Sequence, residues 1–146
     1  MIRQGTIDDL DAIVEGNRSM AQETEGLDLD ADVLRDGVAA VLNGAQPGRY
    51  FVIEEADAVV AQLMITYEWS DWRNAMVWWI QSVYVAPSHR GHGMYRRLYA
   101  HVQEEARRAK AAGVRLYVDE RNVAAQKVYG ALGMNGEHYR VFEAMF

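Results

Sequence analysis

One strand–turn–helix stretch in the middle of the chain constrains its fold most. Met76–Val85 is long, aromatic and β-branched, as expected for a buried central strand. Gly91 and Gly93 then allow the backbone to turn sharply before a helical pattern that begins at Met94. Successive N–H groups converge at such a turn, and a helix N-terminus attracts phosphate through its unpaired donors and its dipole. The stretch is compatible with an anion site, although Gly-x-Gly on its own is more typical of an ordinary strand-to-helix turn.

The other periodic segments extend this unit into the order βααβββαβαβ. The predicted strands cover residues 1–5, 50–53, 59–67, 76–85, 115–118 and 139–146. Thr6 and Asp9 form a capping-box pattern ahead of the first helix, a loop is expected within residues 21–32, and the second helix ends at Asn43-Gly44. Further helices are expected over residues 94–112 and from Asn122 to Leu132. This order predicts one α/β or α+β domain over residues 1–146.

Size and composition exclude several classes of protein. The 146 residues suit one ordinary domain, and half of them are hydrophobic while a quarter are charged. The chain has no cysteine, which excludes disulfides, thiolate nucleophiles and zinc–thiolate sites, and we expect no metal site. Because no apolar run is of signal-peptide or membrane-spanning type, we expect a cytoplasmic location and no membrane partner. A net charge of −6 argues against nucleic acid as a partner and suits a cationic small molecule better.

Two segments together resemble a known family. Arg90-Gly91-His92-Gly93-Met94-Tyr95 resembles Gln/Arg-x-x-Gly-x-Gly/Ala, the acetyl-CoA-binding signature of the GNAT superfamily of N-acetyltransferases. The segment from Asn122 to Met134 resembles that family's second signature, Asn-x-x-Ala-x-x-x-Tyr-x-x-x-Gly-Phe, with Met134 in place of the aromatic residue. The order of elements is also the family's. The resemblance implies a mixed central sheet that is splayed at the cofactor site and flanked by helices. It also implies direct attack of a neutral amine on acetyl-CoA.

The resemblance assigns roles to particular residues. The backbone N–H groups of Gly91, His92, Gly93, Met94, Tyr95 and Arg96 would hold the pyrophosphate. The backbone groups of Val83 and Val85 would contact the pantetheine arm and the acetyl carbonyl, where an N–H acts as an oxyanion donor. Asn122 would contact the pantetheine arm. Arg90, Arg96 and Arg97 would add charge-assisted phosphate contacts, or would simply be the solvated basic start of a helix.

Tyr129 has two interpretations. Within the second signature it would lie near the thioester sulfur and act as a general acid toward the departing thiolate. By spacing alone it belongs to an apolar helical stripe with Ala125, Val128 and Leu132, which is typical of core packing. Both hold if the ring is buried and the hydroxyl faces the cleft.

The chain departs from the family pattern at two positions. Tyr95 stands at the final Gly/Ala position of the first signature, where a ring fits only if it points away from the cofactor. Gln81 stands near the part of the strand where many relatives place a glutamate base, and an amide is not a useful proton acceptor. Candidate bases by residue type are Glu68, Asp71, His89, Glu120 and His138.

The acceptor is expected to be a small amine. In the family it usually enters near the first two helices and the middle strands, where this chain carries acidic residues 23–32 and the tryptophans Trp69, Trp72, Trp78 and Trp79. These residues fit a cradle for a cation, or a solvated loop and a core. The alternatives are a protein lysine or N-terminal acetyltransferase and a catalytically idle acyl-CoA-binding module. Because family members often pair through strands, the resemblance is also compatible with a homodimer.

Overall fold

The computed structural model describes residues 1–146 and forms two compact units, Met1–Arg115 and Leu116–Phe146. The first unit contains strands β1 (Ile2–Gln4), β2 (Arg49–Glu55), β3 (Ala58–Ser70), β4 (Ala75–Val85) and β5 (Gly113–Arg115). It also contains helices α1 (Leu10–Glu25), α2 (Ala31–Leu42) and α3 (Met94–Arg108). The second unit contains helix α4 (Val123–Ala131). No helix is long and apolar enough to cross a membrane.

The five strands form one mixed sheet in the order β1-β2-β3-β4-β5. Neighbouring strands are antiparallel except for β4 and β5, which are parallel. Ala75–Val85 pairs with β3 along its length, but its pairing with β5 covers only Val77–Trp79. The remainder of β4, from Ile80 to Val85, therefore extends beyond the ladder that β5 provides.

Helices pack against both faces of the sheet within the first unit. Tyr50 and Val52 of β2 are buried with Ile13 of α1 and Val38 of α2. Phe51 points to the opposite face, where its ring meets His101 of α3 edge-on at 5.0 Å. This alternation along β2 follows from the period of two in a strand, and it gives the sheet one helix layer on each side.

Gln62 on β3 fixes the first helix to the sheet. Its side chain is 1% exposed, and its amide donates to the carbonyl of Ile13 at 3.2 Å and to Oδ1 of Asn17 at 3.1 Å. Gly16 makes room for this side chain, because a Cβ at that position would lie 2.5 Å from Oε1 of Gln62. The absence of a side chain at Gly16 lets α1 approach β3 closely.

The predicted start of the first helix is confirmed. The carboxylate of Asp9 accepts the N–H of Thr6 at 2.8 Å, and it is bound by both terminal nitrogens of Arg3 at 2.8 Å. Hydrogen bonding to the Arg3 guanidinium holds the pKa of the Asp9 carboxyl below its usual range. A short 3₁₀ turn over Ile7–Asp9 then leads into α1. The first strand is thereby tied to the first helix.

The loop expected within residues 21–32 is confirmed over residues 26–30: the first helix ends at Glu25, and the second begins after Asp30, whose carboxylate accepts two backbone N–H groups. Two other predicted boundaries are wrong. The third helix ends at Arg108 rather than Ala112, since Lys110 adopts a left-handed φ of 58°. The following strand is Gly113–Arg115 rather than residues 115–118.

The predicted strand over residues 139–146 is absent. These residues form no regular element, and their large apolar side chains are exposed. A strand is stabilised by a hydrogen-bonded neighbour, and helix α4 is the regular element of the second unit. The β-branched and aromatic composition of this segment indicated a strand, but composition does not show whether a neighbouring strand is available to pair with it.

Candidate active site

The turn predicted between β4 and α3 is built by two glycines. After a 3₁₀ turn over Pro87–His89 and an extended Arg90, Gly91 and Gly93 adopt φ values of 76° and 75°, and α3 follows at once. L-residues rarely adopt this left-handed conformation. A Cβ added at either glycine would meet nothing within 4 Å, so the requirement here comes from backbone conformation and not from crowding.

This turn presents a row of backbone donors. No carbonyl or side chain of the protein accepts a hydrogen bond from the N–H groups of Gly91, His92, Gly93, Met94 or Arg96, and the first helical bond joins the N–H of Arg97 to Gly93 O at 3.1 Å. Residues 91–93 are also exposed. The donors of residues 91–93 are therefore accessible at the positive end of a 15-residue helix. The donor set fits a phosphate or pyrophosphate group.

Arg90 is held by three neighbours within the first unit. Its Nε donates to Val85 O at 2.9 Å, and its NH2 donates to the carboxylate of Glu23 on α1 at 2.6 Å. Its guanidinium also lies 5.6 Å from the ring centroid of Tyr84. Of the other two predicted phosphate-binding arginines, Arg97 lies 3.5 Å from Glu55, and Arg96 is exposed at the start of α3.

The C-terminal part of β4 is distorted by a β-bulge. Gln81 lies opposite Met64 and Tyr84 lies opposite Gln62, so two residues of β4, Ser82 and Val83, face a single residue of β3. Ser82 adopts a φ of 53°, a conformation that costs a non-glycine residue about 1–3 kcal/mol. Bulges of this kind often adjoin active sites. The sequence analysis missed this bulge.

The two valines predicted to contact the cofactor lie on the edge of β4 that faces away from β3. The N–H of Ala86 donates to Val60 O at 2.8 Å, so Ala86 directs its backbone groups toward β3. Because backbone direction alternates along a strand, Val83 and Val85 direct theirs to the opposite edge, beyond the end of the β5 ladder. The carbonyl of Val85 is already bound by Arg90, whereas its N–H points to the open edge.

Tyr95 packs along its own helix. Its ring stacks on that of Tyr99, one turn further on, at 6.1 Å and 23°. The ring is thereby engaged with the body of α3. That it points away from a bound cofactor stays a prediction.

The second unit contains the other two predicted site residues. The side chain of Asn122 accepts the N–H of Ala125 at 3.1 Å and so caps α4. Tyr129 is half-buried on that helix, and burial raises the pKa of its hydroxyl above the usual value of 10.0. The N–H of Met134 donates to Tyr129 O at 3.1 Å as the helix closes at Gly133, whose φ is 86°. A hydroxyl with a raised pKa is protonated at neutral pH.

The tryptophans, for which a cradle and a core role were both open, have different surroundings. Trp78 is 3% exposed, and it packs edge-on against Tyr67 and beneath the guanidinium of Arg49 at 4.9 Å, so it belongs to the core. Trp79 donates through Nε1 to Glu68 at 3.0 Å. Trp72 is exposed in the turn between β3 and β4.

Gln81 and the candidate bases of the first unit each have different hydrogen-bond or ion-pair partners. Gln81 donates its side-chain amide to the hydroxyl of Thr66. Glu68 accepts from Arg115 at 2.9 Å in addition to Trp79. Asp71 accepts the N–H of Trp72 at 2.9 Å, and His89 lies 3.5 Å from Glu55. Glu120 and His138 belong to the second unit. No group of three or more His, Asp or Glu side chains is arranged to hold a metal ion.

A pocket of about 330 Å³ lies between α1 and the sheet. Its walls include Gly16 and Ser19 of α1, Gln62 of β3, and Tyr84 and Ala86 of β4. This volume is near the lower limit of small-molecule sites. The pocket lies on the same face of the sheet as α1, next to the strand end from which the glycine turn departs.

Comparisons with known proteins agree with the mixed sheet and the glycine turn described above. The sequence profile of the Acetyltransferase (GNAT) family matches residues 12–134. The crystal structure of a possible acetyltransferase from Clostridium difficile 630 is 42% identical, with 100% of this chain and 97% of that chain covered at a TM-score of 0.92. No curated protein sequence matches significantly.

Two more distant structures share the fold. One is a GCN5-related N-acetyltransferase from Ralstonia eutropha JMP134, at 22% identity, with 99% of this chain and 97% of that chain covered and a TM-score of 0.79. The other is a ribosomal-protein-alanine N-acetyltransferase from Brucella melitensis biovar Abortus 2308, at 14% identity, with 100% and 99% covered and a TM-score of 0.81.

Proposed function

The chain belongs to the GNAT family of acetyltransferases, and we propose that it transfers an acetyl group from acetyl-CoA to a small amine by direct nucleophilic attack. The row of accessible N–H groups in the turn before α3 carries this proposal. Donors of this kind at a helix N-terminus suit the doubly charged pyrophosphate of the cosubstrate. Acetyl transfer itself is the reaction of the family.

The residues of the first unit would bind and polarise the cosubstrate. The N–H groups from Gly91 to Arg96 would hold the pyrophosphate, and the exposed Arg96 would add a charge-assisted contact. Bound acetyl-CoA supplies an activated thioester. Val83 would hold the pantetheine arm through its backbone, and the N–H of Val85 would donate to the acetyl oxygen as negative charge develops there. The carbonyl of Val85 is an acceptor and is bound by Arg90 Nε.

The residues of the second unit would complete the reaction. Asn122 would contact the pantetheine arm through its amide nitrogen, since its oxygen caps α4. Tyr129 would donate its hydroxyl proton to the departing thiolate. A tyrosine hydroxyl is protonated at neutral pH, which a general acid requires, and burial raises its pKa further.

The acceptor is proposed to be small because of the pocket beneath α1. A volume of about 330 Å³ accommodates a compact amine. Gln62, Ser19 and Tyr84 give the pocket polar groups that can orient such a ligand. The overall charge of −6 favours a cationic acceptor.

Turnover measurements with matched acceptors test the proposal. The chain has no cysteine, so released CoA is detected with a thiol reagent without a background from the protein. We expect release with acetyl-CoA and members of a panel of small primary amines, and no release with peptides. Turnover with lysine-containing peptides or free peptide N-termini alone would identify a protein acetyltransferase. Cofactor binding without any turnover would identify an idle acyl-CoA-binding module.

Binding is measured separately by isothermal titration. We expect one site per chain for acetyl-CoA and for CoA, with a micromolar dissociation constant, and a higher melting temperature with either ligand. Absence of both heat and thermal shift at millimolar ligand would contradict the proposal. The cytoplasmic location and the homodimer stay predictions, and light scattering during size-exclusion chromatography tests the second.

A further inference from the structure

We infer that Glu23, near the end of α1, is a positioning residue for the glycine turn that precedes α3. It would act through Arg90, the residue at which the turn begins. The inference rests on the proposed binding of a phosphate-bearing cosubstrate at that turn. Neither family signature includes Glu23, which lies 67 residues before Arg90 in the sequence.

The contacts of Arg90 join three elements of the first unit. The guanidinium connects the carboxylate of Glu23 at 2.6 Å with Val85 O at 2.9 Å, through different nitrogens. A planar guanidinium holds two such acceptors in a fixed relation, which a lysine ammonium does not. The end of β4 and the end of α1 are therefore clamped to the first residue of the turn.

The clamp restricts the conformations of a turn that would otherwise be flexible because it contains two glycines. Glycine loses more conformational freedom on folding than any other residue, and Gly91 and Gly93 stand on either side of His92. Their N–H groups bind an anion well only if they point at it before it arrives. Fixing the side chain of Arg90 fixes the backbone from which these groups project.

A direct effect of charge predicts the opposite outcome. Glu23 is negative and neutralises Arg90, so removing its charge would release a cation beside a phosphate site and tighten binding. The positioning role predicts weaker binding when the same charge is removed. The sign of the change in affinity therefore separates the two.

The size of the effect is limited by solvent. The side chains of Arg90 and Glu23 are 47% and 42% exposed, and exposed ion pairs contribute little. We expect Glu23→Gln to raise the dissociation constant for CoA about three- to fivefold, in keeping with the upper part of the range for exposed ion pairs. Because the residue is exposed, the melting temperature should stay unchanged.

A matched variant controls for net charge. Glu25 lies two residues further along α1 and is absent from the contacts of Arg90. Glu25→Gln removes the same charge and should leave the affinity for CoA unchanged. Pantetheine, which lacks the phosphates, should bind wild type and Glu23→Gln equally. In turnover with acetyl-CoA, the KM of Glu23→Gln should rise while kcat stays the same.

A double variant tests whether the effect passes through Arg90. Glu23→Gln combined with Arg90→Gln should bind CoA no more weakly than Arg90→Gln alone. Equal affinities for the Glu23 and Glu25 variants, tighter binding by Glu23→Gln, or additive effects in the double variant would each overturn the inference. Failure of the wild-type protein to bind CoA would instead overturn the proposed function on which the inference rests.

Discussion

Replacing Gly93 and Gly37 separately by alanine gives two variants with the same chemical change and opposite expected effects on stability. At both positions a Cβ would meet nothing within 4 Å, so neither variant is crowded. Gly93 adopts a φ of 75°, whereas Gly37 is an interior residue of α2. Alanine in the left-handed region costs about 1–2 kcal/mol, and alanine in place of glycine inside a helix gains about 0.5–1 kcal/mol. The two free energies of unfolding should differ by about 1.5–3 kcal/mol.

Urea denaturation measures this difference as a change in the urea concentration at the midpoint of unfolding. The slope of the unfolding free energy against urea concentration should be the same for both variants. Gly37→Ala should raise the midpoint and Gly93→Ala should lower it. Titration with CoA supplies the second readout, because Gly93→Ala turns the N–H groups of the turn and should weaken binding about tenfold, or 1.4 kcal/mol. Gly37→Ala should bind CoA like the wild type. Midpoints that move in the same direction would refute the argument that backbone conformation demands glycine at residue 93.

Four further changes test other parts of the structure. Tyr129→Phe should leave CoA affinity unchanged and should lower the rate of the acetyl-transfer step, measured in the pre-steady state, by about 10²- to 10⁴-fold. An unchanged rate would mean that the ring only packs. Tyr95→Ala should keep CoA affinity within a few-fold by titration while lowering the melting temperature, and tenfold tighter binding would show that the ring obstructs the turn. Gly16→Ala should destabilise by about 1–3 kcal/mol in denaturation, with the penalty reduced in a Gln62→Ala background, because its Cβ would collide with that side chain. The carboxyl of Asp9 has a lowered pKa, so the stability it adds is present above about pH 4 and is lost as pH falls through its folded pKa. Asp9→Asn should therefore be less stable at pH 7, and its free energy of unfolding should fall less steeply than that of the wild type as the pH is lowered.

The fold class and the family were predicted from sequence because their signals are local. The long apolar run of β4, the paired glycines and the helical pattern after Met94 each follow from short-range propensity, and both the family profile and the sheet confirm them. The strand over residues 139–146 was wrong because strand formation depends on a partner that composition does not reveal. The end of α3 was misplaced because nothing in a lysine marks Lys110 as left-handed.

The candidate site was predictable where backbone conformation matters and unpredictable where side chains meet across the fold. Glycine at residues 91 and 93 pointed to the donor row directly. The ion pair of Glu23 with Arg90 joins residues far apart in sequence, and no periodicity indicates it. The sequence left Trp78 open between a binding cradle and the core, because it shows an aromatic residue without showing which face of the strand carries it. The roles of Asn122 and Tyr129 stay predictions.

The β-bulge in β4 shifts by one residue the alternation of side chains between the two faces of the sheet. Gln81 and Tyr84 are three positions apart, so in a regular strand they would lie on opposite faces, yet both face α1 through their partners Met64 and Gln62. If Ser82 instead paired regularly with Leu63, without a bulge, every residue from Val83 onward would turn to the other face. The N–H of Val85 would then point into the β3 ladder, and the strand would lose its donor at the open edge. The bulge thus lets one strand complete a sheet along its first half and offer its backbone to a ligand along its second.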